Sequence, residues 1–140
     1  MNEPGTAQRE AGALRGMRVL LVEDTALVAH ELKRMLANDG CEVVAHCDTL
    51  ESAMRAAESG QAYSGALLDI NLRGQLVYPA AEKLLQRGVP LVFLTGYATD
   101  FLPEIFGGCP LLEKPFSATE LRVVMARNFG GRKSGSGLDR

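Results

Sequence analysis

Ala66-Leu67-Leu68-Asp69, followed by Asn71-Leu72-Arg73-Gly74, is the stretch whose reading decides the fold. An apolar run that stops at a carboxylate and then at turn-forming residues reads as a buried strand carrying chemistry at its carboxyl end. The same pattern recurs on both sides of it. Val19-Leu20-Leu21-Val22 ends in Glu23-Asp24, Pro90-Leu91-Val92-Phe93-Leu94 ends in Thr95-Gly96, and Pro110-Leu111-Leu112 ends in Glu113-Lys114-Pro115. Glu23, Asp24, Asp69, Thr95 and Lys114 therefore all stand just past strand ends. If these strands are parallel neighbours, carboxylates, a hydroxyl and an ammonium meet at one edge of a sheet. Such a set suits a divalent cation and a phosphoryl group.

Helical signals separate the strands. A first helix starts near Thr25, places Val28, Leu32, Met35 and Leu36 on one face, and stops at Gly40. Cys41 to Cys47 is apolar and β-branched enough for a strand. Leu50, Ala53, Met54 and Ala57 form a weaker helical face ending at Gly60, and Pro79 suits the first turn of a third helix that carries Leu84 and Leu85 and ends at Gly88. The last helix opens with a capping box, Ser117-Ala118-Thr119-Glu120, ahead of Leu121, Val124 and Met125. Five strand–helix pairs with continuously apolar strands predict an α/β fold, a doubly wound five-stranded parallel sheet with right-handed crossovers. Ligands of such sheets bind outside the carboxyl ends of the strands, where the five polar residues stand. The fourth helix is the exception. Pro103 and Gly107-Gly108 leave room for about two poorly supported turns, and this segment is expected to be the most mobile of the folded unit.

Composition narrows the function classes. A chain of 140 residues with 46% apolar residues fits one domain, and a formal charge of −2 supplies no basic field for nucleic acid or membrane. The absence of Trp argues against a base-stacking platform. No run approaches the roughly 20 apolar residues of a membrane span, and the N-terminus lacks the apolar core of a signal peptide. Cys41 and Cys47 on one strand would stand roughly 20 Å apart at about 3.3 Å per residue. With Cys109 they are expected to be free thiols in a reducing, cytoplasmic setting. Residues 1–16 read as a flexible lead, 17–129 as the folded domain, and 130–140 as a flexible tail of linker composition. His30 and His46 lack partners at ligand spacing and read as structural, as do Tyr63 and Tyr78 as packing residues.

Taken in order at matching strand ends, Glu23-Asp24, Asp69, Thr95 and Lys114-Pro115 make residues 17–129 resemble the receiver domain of two-component response regulators. The resemblance implies a flavodoxin-like fold with strand order 2-1-3-4-5. It implies that a histidine kinase donates a phosphoryl group to Asp69 in a Mg²⁺-dependent reaction, and that the receiver signals by protein–protein contact or drains phosphoryl groups as a sink. By family precedent Asp24, Asp69 and the backbone carbonyl of Asn71 hold Mg²⁺, with Glu23 acting through water. Lys114 would hold a phosphoryl oxygen, aimed by a cis Lys114–Pro115 bond, and Thr95 would donate its hydroxyl to another. An ionised Asp needs no base to act as nucleophile; its difficulty is attack by one anion on another.

Two departures from the family qualify the likeness. Receivers usually carry a switching Tyr or Phe three residues before the lysine, where this chain has Leu111. Phe93-Leu94-Thr95-Gly96-Tyr97 is instead similar, in part, to the FAT GUY subgroup, named for Phe-Ala-Thr-Gly-X-Tyr. Members often work with HWE-type kinases and have a short or disordered fourth helix. Tyr97 and the loop after Thr95 are thus expected to carry the response, and a monomer is expected. Two other classes compete. Aspartate-nucleophile phosphatases place the nucleophile after the first strand and add a cap, which does not match. A pseudo-receiver binding partners constitutively would not need the complete residue set.

Overall fold

A computed structural model describes residues 12–97 and 102–129. The expected tail at 130–140 and residues 1–11 of the expected lead lie outside the described residues. The sheet consists of β1 (Arg18–Val22), β2 (Glu42–Cys47), β3 (Gly65–Asp69), β4 (Leu91–Thr95) and β5 (Leu111–Glu113). All pairings are parallel and the spatial order is β2-β1-β3-β4-β5, as expected. Helices α1 (Ala26–Asn38), α2 (Leu50–Glu58), α3 (Tyr78–Gln86) and α4 (Ala118–Asn128) cover its faces.

Strand alternation divides the apolar residues between two cores. Leu20, Val22, Leu68 and Phe93 face α2 and α3 in one cluster, while Leu21, Leu67, Val92 and Leu94 face α1 and α4 in the other. Every residue of β3 and β4 is buried, which explains their unbroken apolar runs. The edge strands β2 and β5 bury less and tolerate Glu42, His46 and Glu113. Burying one Leu or Phe side chain contributes about 1.5–3 kcal/mol. The three central strands therefore anchor the edge from which the polar residues project.

Local signals act where the sequence placed them. α1 ends in a Schellman motif in which Gly40 (φ 81) donates to Ala37 O at 3.0 Å and Cys41 to Leu36 O at 2.9 Å. Ser117 and Glu120 form the expected capping box at the start of α4, with bonds of 3.0 and 2.8 Å. A second box, Thr49 with Ser52, opens α2. The α1 face is rotated relative to expectation. Ala29, Leu32 and Leu36 are the buried set, whereas Val28 and Met35 are half-buried beside Phe116.

The end of the N-terminal lead is a correction. Leu14 is fully buried in the α1/α4 core, its carbonyl accepts from Cys41 Sγ at 3.4 Å, and Gly16 N donates to Gly40 O at 2.8 Å. The folded unit thus begins before residue 17. A lone Leu between glycines has no periodicity, so only its burial reveals its role. The three cysteines are free, with Cys41 and Cys47 buried.

Between β4 and β5, the helical structure among the described residues is one 3₁₀ turn, Glu104–Phe106. Phe106 anchors this turn. It is buried, stacks on Tyr78 with centroids 5.5 Å apart, and meets the Phe93 edge at 5.2 Å.

Candidate functional site

The backbone ladder runs one residue beyond three of the strands and pins the site. Glu23 N donates to Cys47 O at 2.9 Å, Ile70 N to Leu94 O at 3.0 Å, and Lys114 N to Thr95 O at 2.7 Å. These bonds draw the ends of β1, β3 and β5 against their neighbours, so the polar residues there share one cleft. Its volume is about 320 Å³, and Asp24, Asp69, Asn71, Thr95, Tyr97 and Lys114 are among the residues lining it. Glu23 lies beneath, fully buried.

A buried carboxylate needs partners. Glu23 has two: Lys114 Nζ donates to Oε1 at 2.9 Å and Thr25 N to Oε2 at 3.1 Å. The same ammonium stands 3.3 Å from Asp69 Oδ2. Glu23, not the expected phosphoacceptor, is thus the nearer partner of Lys114. Burial tends to lower the Lys114 pKa, but the hydrogen bond to Glu23 and the charge of Asp69 outweigh it and raise the value. Asp69 goes the other way from most paired carboxyls. Burial first, then the Glu23 charge, push it from 3.8 up to about 7, against the opposing pull of Lys114.

One ammonium is insufficient for this much negative charge. Oxygen atoms of Glu23, Asp24 and Asp69 all lie within 4.8 Å of one another. Like charges this close, in a partly desolvated cleft, favour a hard cation taking oxygen ligands. The donor set therefore fits Mg²⁺.

Asn71 begins a small hairpin of Asn71–Leu72 against Gln75–Leu76, whose turn is closed by Gly74 N donating to Asn71 Oδ1 at 2.6 Å. The side chain of Asn71 is thus bound into the turn, and the residue lines the cleft. Thr95 is buried, and its Oγ1 accepts from Tyr97 N at 3.0 Å and donates to Tyr97 O at 3.2 Å. Tyr97 is 68% exposed and stands at the rim of the cleft. The Lys114–Pro115 bond is cis.

Comparison with known proteins agrees with this geometry: residues 19–126 match the family model of the response regulator receiver domain. The chain belongs to the response regulator receiver family. Transcriptional regulatory protein PdtaR of Mycobacterium tuberculosis is 31% identical, over 80% of this chain and 56% of its own length. The solution structure of SdrG from Sphingomonas melonis is 35% identical, with a TM-score of 0.70 over 79% of this chain and 94% of that one. The receiver domain of a Pseudomonas aeruginosa sensor histidine kinase, solved with magnesium coordinated in its active-site cleft, is 30% identical. Its TM-score is 0.71, over 82% of this chain and 98% of that one. The chain spans about half the length of the curated relatives it matches. No helix among the described residues of this receiver is long and apolar enough to cross a membrane.

All seven expected site residues gather at this edge, with Tyr97 at its rim. Two neighbours were not foreseen. Arg73 NH2 donates to Asp24 O at 3.1 Å, and a ring nitrogen of His46 lies 3.1 Å from Glu23 O. Arg73 could have been suspected from its place in the Asn71–Gly74 turn, although nothing local indicates a partner 49 residues away. His46, expected to be structural, meets the backbone carbonyl of Glu23 and stays outside the cleft.

Proposed function

We propose that this receiver accepts a phosphoryl group from a histidine kinase on Asp69 in a Mg²⁺-dependent reaction, and passes the resulting state to a protein partner or acts as a phosphoryl sink. The observation carrying this reading is the Asp69 carboxylate, 3.3 Å from Lys114 and within 4.8 Å of the Glu23 and Asp24 oxygens. A carboxylate oxygen of Asp69 attacks phosphorus, forming a P–O bond as the P–N bond to the kinase histidine breaks. The imidazole nitrogen keeps the bonding pair and takes up a proton. Asp24, Asp69 and the Asn71 carbonyl would hold Mg²⁺ directly, with Glu23 through water; the bound ion supplies charge neutralisation between the two anions.

The chain's own groups do the rest. Lys114 leaves part of its interaction with Asp69 for a phosphoryl oxygen, while Glu23 retains it in the cleft. Thr95 turns its hydroxyl toward another phosphoryl oxygen. A hydroxyl has one proton to give, so the Tyr97 carbonyl then loses the bond it now receives. That exchange would release the loop after Thr95, and makes Thr95 and Tyr97 the switch. The 3₁₀ turn, the helical structure between β4 and β5 among the described residues, and the Phe93–Tyr97 motif support an HWE-type kinase as donor. The short segment also offers little surface for a dimer, which favours a monomer.

Intact mass after incubation with Mg²⁺ and a small phosphodonor tests the reaction. One phosphoryl group, absent without Mg²⁺ and in Asp69→Asn, is expected. Absence of transfer from both a small donor and cognate or HWE-type kinases, by folded protein that binds Mg²⁺, would sink the proposal and favour a pseudo-receiver. Tyr97→Ala should disturb partner or kinase recognition while leaving Asp69 chemistry intact; unchanged recognition would remove Tyr97 from the switch.

A further inference from the structure

We propose that the charge of Arg73, paired with Asp24, competes with a divalent cation, so that Arg73 sets how tightly the cleft takes Mg²⁺. The inference rests on the reading of the cleft as a Mg²⁺ site.

The backbone gives the first indication. Arg73 is the one non-glycine residue at positive φ among the described residues (φ 55), and Gly74 follows at φ 93. A two-residue hairpin turn with both central residues at positive φ favours Asn, Asp or Gly at the first position. A long β-unbranched cation there is the costlier choice.

The hairpin then fixes where the side chain goes. Leu72 is buried in the α2/α3 core, and Asn71 Oδ1 closes the turn at Gly74 N, so Arg73 leaves from a fixed base. From there it crosses to the loop after β1. NH2 donates to Asp24 O at 3.1 Å and Nε stands 4.0 Å from Asp24 Oδ2. It also lines the same cleft as Asp69, Thr95 and Lys114.

The charges divide accordingly. Lys114 serves Glu23 and Asp69, while Arg73 serves Asp24, so both tethered cations sit beside the carboxylates that would hold Mg²⁺. A dication approaching Asp24 must tolerate the guanidinium or push it aside. The Asp24 side chain is only 14% exposed, whereas that of Arg73 is 64% exposed. Solvent screening therefore limits the competition to a modest factor, and salt should weaken it further.

Isothermal titration of MgCl₂ into the full chain tests this, comparing wild type with Arg73→Gly and Arg73→Lys. Thermal melts without Mg²⁺ verify that each variant folds. Arg73→Gly accommodates the turn and removes the charge; it is expected to bind Mg²⁺ about two- to fivefold more tightly at low salt, with the gain shrinking as salt rises. Arg73→Lys should stay near wild type. Equal or weaker Mg²⁺ binding by Arg73→Gly, in a wild type that does bind, overturns the role of Arg73 alone. A wild type that takes no Mg²⁺ overturns the reading of the cleft, and this inference with it.

Discussion

The carboxylate side of the cleft, where β1 and β3 end beside Lys114, and the loop that follows Thr95 are held by different forces. On the first side, strands buried on both faces end in carboxylates that repel one another around a single, half-buried ammonium. Position is rigid and charge is poorly satisfied. On the second side, Thr95 holds its loop through two side-chain bonds to Tyr97, and one 3₁₀ turn is secured by packing of Phe106 on Tyr78 and Phe93. Position there depends on a few contacts, and charge plays little part. The difference separates a region where crowded charge dominates from one held by local hydrogen bonds and aromatic packing.

The largest test of the contrast strikes the aromatic support. Phe106→Ala removes a buried ring that anchors the 3₁₀ turn, and should cost about 3–5 kcal/mol in chemical denaturation. A loss below about 1 kcal/mol would mean that the segment is held by something other than this cluster.

On the electrostatic side, substitution should have the opposite sign. The Asp69 value of about 7 lies above its unfolded 3.8. The folded, metal-free protein therefore holds an extra proton between those limits. Its contribution is fully present below the lower value, and is lost as pH rises through the upper one. Metal-free wild type should thus lose stability between about pH 4 and pH 7 relative to Asp69→Asn. The variant should be more stable at pH 8 by on the order of 2 kcal/mol, and saturating Mg²⁺ should shrink the gap by stabilising wild type. Parallel melting curves across pH would show that the site carries no such strain.

Smaller effects sharpen the comparison. Thr95→Val should cost about 1 kcal/mol through its lost bonds to Tyr97. It should also raise hydrogen exchange at the Tyr97 amide, while β3 stays protected; equal exchange at both places would dissolve the distinction between the two sides. Leu111 is 38% exposed on the edge strand β5. Leu111→Ala should cost less than about 1 kcal/mol in denaturant, and a cost near that of Phe106→Ala would show that this position bears packing after all.

What the sequence determined by itself is the framework and the membership of the site. Unbroken apolar runs require strands buried on both faces, turn residues end them, and polar residues at those ends can only meet at one edge. Gly40 and the Ser117–Glu120 box were legible for the same reason, because backbone geometry within a few residues decides them. Tertiary structure alone decided who pairs with whom. Lys114 lies nearer Glu23 than Asp69, and Arg73 reaches Asp24 across 49 positions. Leu14, isolated between glycines, becomes core only because α1 and α4 leave a place for it. The protonation of Asp69 belongs to this second group too. A pKa depends on burial and on the distance to other charges, and neither exists until the chain has brought its distant carboxylates together.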